Sequence, residues 1–374
     1  MFQHTKLDNE LTLIQKIKNL DYILLFLITL LGVLSIFTMY STDGGQILFH
    51  TKSHFIKFVV FFPMMILLSL FTIKFWHSLS YFIYIIVLAL LIWVSIFGVE
   101  ASGSKRWIDF YFINLQPSEL MKIAIILCLA KYYHRVKIND VNNFTPIITS
   151  ITVILIPIIL VIRQPDLGTS ILIALSGLIV LWLSGLKIKY FSYSFITFIV
   201  SLPFVISLLK PYQKMRILTF LNPDIDPLGS GYQIIQSKIA IGSGGLTGKG
   251  YLKGTQSYLD FLPEKHTDFI FTLYSEEFGF FGSLFLLLIY AVILYRVIYI
   301  GTISRSHFAK LFCYSFAFAI FLYVTINMSM VLGLLPIVGS PLPIMSYGGS
   351  SMLATMIGFA IVLSAKINSK QLIA

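Results

Sequence analysis

YILLFLITLLGVLSIFTMY, residues 22–40, decides the class of fold. The stretch carries no charge. Wound as a helix at 1.5 Å per residue it is about 28 Å long, close to the thickness of a bilayer's hydrocarbon core. Working outward, apolar runs of similar length recur near 54–73, 79–98, 117–134, 144–163, 168–184, 189–209, 267–299, 308–334 and 349–367. None alternates as the short strands of a membrane barrel would. The composition agrees: of 374 residues 57% are hydrophobic and 11% charged, where a soluble chain carries about 25% charged residues. That excludes a soluble globular enzyme, a disordered chain and a disulfide scaffold. Cys128 and Cys313 both lie in apolar runs, with no metal-site or disulfide spacing.

The expectation is an all-α polytopic membrane protein, residues 1–374 forming a single integral membrane domain of ten transmembrane helices. The 21 residues before the first run are polar and mixed in charge, and the run is too long for the core of a cleavable signal. With the N-terminus inside, fourteen of the 27 basic residues fall in cytoplasmic segments and four in short outer loops. That bias predicts both termini in the cytoplasm. The net charge of +11 then reflects loops facing anionic lipid rather than nucleic acid. One connection, 210–266 between the seventh and eighth helices, is a large extracytoplasmic loop, with residues 232–241 amphipathic enough to lie at the interface.

Polar residues gather in four clusters, all predicted on the outer face: Ser104–Trp107 running into Gln116–Lys122, then Arg163–Thr169, Leu262–Phe269, and Pro341–Ser351. The cytoplasmic connections are short and plainly basic. ATP and nucleotide sugars are not expected outside, so a substrate would arrive already activated. Pro117 suits a first helical position and Glu119 a helix N-terminus. Lys122 would lie about 7 Å deeper, either facing a cavity or paired with Glu119 at i, i+3. Asp268 opens the eighth helix, where a plain cap is the simpler reading. Its neighbours Glu264, Lys265 and His266, with Thr272 and Ser275 on one helical face, favour a general base for a sugar hydroxyl. Trp107 is by default an interfacial aromatic; beside Lys105 and Arg106 the alternatives are stacking on a sugar ring or shaping a phosphate site. His50 and His54 stand at i, i+4 with no third ligand near in sequence, so zinc is not expected. Glu276 and Glu277, deep in a span, read either as proton-relay acids or as a buried structural pair. Ser243–Gly250 imitates a phosphate-binding loop, but its first Gly and final Ser/Thr are replaced and no strand precedes it. It reads as a flexible linker of tight turns.

Taken together, SKRW…QPSELMK, RQPDLGTS, GTQSYLDFLPEKHTDFIF and MVLGLLPIVGSPLPIMSYGGSS resemble the SEDS family (shape, elongation, division and sporulation) across residues 99–367, in family order. The GTQS and VLGLLP…PLP stretches look more like its rod-elongation branch than its division branch. The resemblance implies a peptidoglycan glycosyltransferase of the bacterial inner membrane. Its implied substrates are lipid II and the nascent glycan, and its implied partners are a class B penicillin-binding protein and other elongation-complex membrane proteins. By family match Asp268 is the essential carboxylate, with Trp107, Lys122 and Glu119 around it. Arg106, Lys105 and His266 complete the expected substrate-binding set. Asn114 stands where some relatives carry a basic residue, and residues 1–98 carry little motif content. Lipid II is α-linked and the product β-1,4-linked, so one inverting displacement is expected, with Asp268 as base and Lys122, Arg106 and Lys105 holding the diphosphate. No cofactor is required by the sequence; Mg or Mn could share the diphosphate charge, but no acidic cage is visible. The rival readings are a flippase for the same lipid, which would need polar residues continuing to the inner face, and a scaffold that only recruits a polymerase.

Overall fold

Four of the apolar helices start where a short polar side chain takes up a free backbone N–H group. Asp21, Thr72, Asp166 and Ser306 accept from the N–H groups of Leu24, Phe75, Thr169 and Ala309. Gln116-Pro117 opens another helix with proline at its first position. In the computed structural model, which describes residues 11–101, 104–109, 114–208, 211–226, 229–255, 262 and 264–373, the order is α1 (Leu13–Lys18), α2 (Tyr22–Thr42), α3 (Phe49–Ser69) and α4 (Ile73–Phe97). A small sheet follows: β1 (Val99–Ala101), β2 (Ser104–Asp109) and β3 (Asn114–Leu115). Then come α5 (Pro117–Arg135), α6 (Phe144–Arg163), α7 (Leu167–Leu183), α8 (Ile188–Leu208), α9 (Pro211–Leu221), α10 (Ser230–Ser243), α11 (Ile270–Ile303), α12 (His307–Val331) and α13 (Gly349–Ile367).

Every apolar run of the sequence lies on one of these helices. Among the described residues α2, α3, α4, α6, α11, α12 and α13 are long and apolar enough to cross a membrane, and α7 is a shorter apolar helix. The molecule is a polytopic membrane protein. Its outer surface explains the composition: Phe26, Ile85, Ile159, Phe195 and Leu288 are all exposed, as lipid-facing residues are. The centre is α5, buried along nearly its whole length and packed against α4, α7, α12 and α13. The most polar of the long helices thus sits furthest from lipid, where Glu119 and Lys122 can find partners.

Three local readings change. The connection after α4 is a three-stranded antiparallel sheet, with Ile108 facing Leu115 and Val99 facing Trp107, so the fold is not purely helical. Among the described residues of the 210–266 loop are the helices α9 and α10, and α10 packs on α11 and α12 as part of the body rather than lying apart at the interface. Ser237 on α10 bonds the Thr272 hydroxyl at 2.7 Å and donates to the Val331 carbonyl at 2.8 Å. The glycine-rich stretch does make tight turns, but it is docked rather than a flexible linker. α11 breaks at Gly279, which takes φ 66° and ψ −160°. The loop fills that break: Phe280 and Phe281 N–H groups donate to the carbonyls of Gly245 and Leu246, and Lys249 and Gly250 N–H groups donate to those of Glu276 and Glu277. Backbone groups freed inside an apolar helix are thereby satisfied.

Candidate active site

The four polar clusters converge at one end of the bundle, and hydrogen bonds tie them together. Arg106 donates to the carbonyls of Gln164 (2.9 Å) and Pro165 (2.7 Å), joining the sheet to the α6–α7 turn. Gln116 N–H donates to Ser350 Oγ at 2.8 Å, joining the start of α5 to the start of α13. Ser346 Oγ donates to the Thr267 carbonyl at 2.6 Å, joining the segment before α13 to the turn before α11. Between them lies a cavity of about 440 Å³.

Asp268 lines this cavity from the 264–269 turn. Two features hold it. The Phe269 N–H donates to the Glu264 carbonyl at 3.2 Å, and Asn327 Nδ2, buried on α12, donates to the Asp268 backbone carbonyl at 2.9 Å. Asn327 also donates to the Ser340 carbonyl at 2.7 Å, fixing the turn against the α12–α13 connection. Gly339 adjoins the carboxyl: a Cβ there would meet Asp268 Oδ2 at 3.5 Å. Burial pushes the Asp268 carboxyl up to about 7; Glu264, Asp166 and Glu119 add to the rise and Arg216 opposes it. Its proton affinity therefore sits near neutrality, where a base works best.

The expected set divides. Asp268, Trp107, Arg106 and Glu119 share the cavity. Lys122 does not line it: it is 2% exposed, and its ammonium donates to Glu119 Oε1 at 2.6 Å and lies 4.3 Å from the Tyr323 ring centre. Tyr323 donates to the other oxygen of Glu119 at 3.0 Å. Lys122 thus sits behind Glu119 as its ion-pair partner. Lys105 is exposed on β2 and outside the lining. His266 turns away from the cavity toward Asp43, 3.1 Å from its Oδ1. The sequence reading missed Arg216 and Gln233, which α9 and α10 bring to the cavity wall. Nothing in a 57-residue loop signalled that its helices fold back over the site. Asp166 lines the cavity while capping α7, 3.6 Å from Arg106 Nη1.

A family description termed "Cell cycle protein", covering FtsW, RodA and SpoVE, matches residues 18–371. The chain belongs to this family. It is 46% identical over 294 residues to "Peptidoglycan glycosyltransferase MrdB" of Escherichia coli K12, covering 78% of each chain. It is 39% identical over 335 residues to "Probable peptidoglycan glycosyltransferase FtsW" of Buchnera aphidicola from Schizaphis graminum, covering 87% of this chain and 94% of that one. Among solved structures, one described as "Structural coordination of polymerization and crosslinking by a peptidoglycan synthase complex" superposes with a TM-score of 0.81 at 29% identity, over 94% of this chain and 99% of that one. The Thermus thermophilus rod shape determining protein RodA shares the fold, with a TM-score of 0.70 at 24% identity over 94% and 98% of the two chains. The resemblance read from the motifs is therefore a family membership.

Proposed function

We propose that the cavity beneath β2 is where this family member joins sugars, with Asp268 as the general base. The chain is a peptidoglycan glycosyltransferase that polymerises lipid II into β-1,4 glycan during cell elongation. The observation that carries the site assignment is the Asp268 carboxyl on the cavity wall, pushed up to about 7. Asp268 accepts the proton of the acceptor GlcNAc 4-hydroxyl as that oxygen bonds to C1 of the donor MurNAc. The C1–O bond to the diphosphate breaks on the opposite face, which inverts the α-linkage to β. The diphosphate leaves as an anion and needs no acid, unlike the leaving group in glycoside hydrolysis.

Arg106 and Arg216 are the guanidiniums in reach of that anion. Trp107 offers a face for a sugar, and Glu119, with its charge balanced by Lys122, shapes the floor. Lys122 already balances Glu119, and Asp166 lies 3.6 Å from Arg106, so Mg or Mn would enter only with the diphosphate, whose charge it would share. The chain crosses the cytoplasmic membrane ten times, with both termini inside and the cavity outside. A class B penicillin-binding protein supplies crosslinking, alongside other membrane proteins of the elongation complex.

Purified chain reconstituted with lipid II tests the reading. Wild type should form polymer. Asp268→Asn should lose about 10²–10⁴-fold in rate without any loss of melting temperature. Retained polymerisation by that variant would overturn the assignment, and translocation without polymer would favour a flippase.

A further inference from the structure

Beside the cavity, three side chains from three elements point at one another. Asp43 follows α2, His50 opens α3, and His266 lies two residues ahead of Asp268. Asp43 Oδ1 is 3.5 Å from His50 Nδ1 and 3.1 Å from His266 Nε2. All three ligand atoms lie within 4.8 Å of one another. The two imidazoles stack, centroids 3.9 Å apart and planes 20° apart, so that both turn a nitrogen toward the same carboxylate oxygen. The second oxygen is already used: Asp43 Oδ2 accepts from Thr51 N at 2.9 Å and Thr51 Oγ1 at 2.6 Å. Asp43 is 3% exposed and His266 15%, while His50 at 38% leaves a way in from outside.

We infer that Asp43, His50 and His266 form a transition-metal site of the zinc class, separate from the glycosyltransferase cavity. Metal bonds of about 2.0–2.2 Å to imidazole nitrogen and carboxylate oxygen set neighbouring ligand atoms about 3.3 Å apart in a tetrahedron, and the two separations from Asp43 bracket that value. Two imidazoles and one carboxylate suit zinc rather than magnesium, which prefers oxygen. Thr51 supplies the outer contact that fixes the carboxylate's orientation.

The ion would staple the α2–α3 connection to the turn that carries Asp268. The Tyr347 N–H donates to the His266 carbonyl at 2.8 Å on the same turn, so the staple would act on a segment already held from one side. His54, the other half of the i, i+4 pair, faces Ser35 and takes no part.

Metal binding is measured without substrate, so its failure and that of the polymerase reading are separable. Full-length chain lacking any polyhistidine tag is stripped with chelator and titrated with Co²⁺, then Zn²⁺. The expected result is one equivalent of cobalt with the intense visible band of four-coordination, displaced by Zn²⁺ but not by excess Mg²⁺. His50→Ala and Asp43→Asn should weaken binding at least 100-fold, and Thr51→Val about 10–100-fold. His134→Ala, in a separate histidine group on α5, should bind as wild type does. Zn²⁺ should raise the melting temperature of wild type and not of His50→Ala, which keeps the test valid if that variant is less stable. Absence of stoichiometric cobalt binding by wild type, or equal affinity in His50→Ala and Asp43→Asn, overturns the site.

Discussion

At the scale of single residues, the determining fact is a carboxylic acid placed where its charge is poorly solvated. Asp268 folds with a pKa near 7 against about 3.9 when unfolded. Two consequences follow from the sign. The proposed base acts in its ionised form, so kcat/KM should rise with pH and reach half its plateau near pH 7. The folded state binds the proton more tightly, so this group's contribution to stability is present below about pH 4 and lost as pH rises through 7. Asp268→Asn should therefore gain melting temperature over wild type progressively from pH 4 to 7 and no further above it. A constant difference across that range would contradict the shifted acid.

Lys122 gives the complementary case. Its ammonium and the Glu119 carboxylate are each buried and each other's partner. Lys122→Met should destabilise by about 3–5 kcal/mol by leaving a buried charge alone, while the double variant Lys122→Met/Glu119→Gln should recover much of that loss. Equal melting temperatures for the single and double variants would mean that the pair is not coupled. The sequence left open whether Lys122 faces a cavity or pairs with Glu119; the geometry gives the pair.

At the scale of elements, the break in α11 organises the part of the molecule that the sequence left least legible. Glu276 and Glu277 carry no sign in the sequence of what they serve. In the structure Glu276 receives the docked glycine loop, its Oε1 accepting from Lys249 Nζ at 2.6 Å and from Thr255 N at 2.9 Å, while Glu277 accepts from Ser41 on α2. Of the two sequence readings, a buried structural pair describes these contacts. Gly248 is required sterically: its φ is +82°, and a Cβ there would lie 2.0 Å from the Glu277 carbonyl oxygen. Gly248→Val should displace the loop and expose it to protease at its own residues, with a lower melting temperature, while Leu246→Ala on the exposed side should do neither. Tight turns were legible from the glycines. Docking was not, because it depends on the Glu276 and Glu277 carbonyls, each 27 residues beyond its donor in the chain.

At the scale of the whole molecule, sidedness is the property to test. Cys128 and Cys313 are free and buried, so an added surface cysteine would report against a quiet background. Lys105→Cys, on exposed β2, should react with a membrane-impermeant maleimide in spheroplasts. Lys187→Cys, in the α7–α8 turn, should react only after permeabilisation. The reverse pattern would invert the proposed orientation.

Apolar runs long enough to span a bilayer, and the motifs that mark the family, were determined by the chain alone, because bilayer thickness fixes helix length and local residue order carries the motifs. The tertiary structure decided which polar side chains meet. Helix packing brings Arg216 to Asp268's cavity from a distant loop, hides Lys122 behind Glu119, and turns His266 from the cavity toward Asp43 and His50. Those outcomes depend on rotation and depth of one helix against another, and such geometry has no counterpart in residue spacing along a single segment.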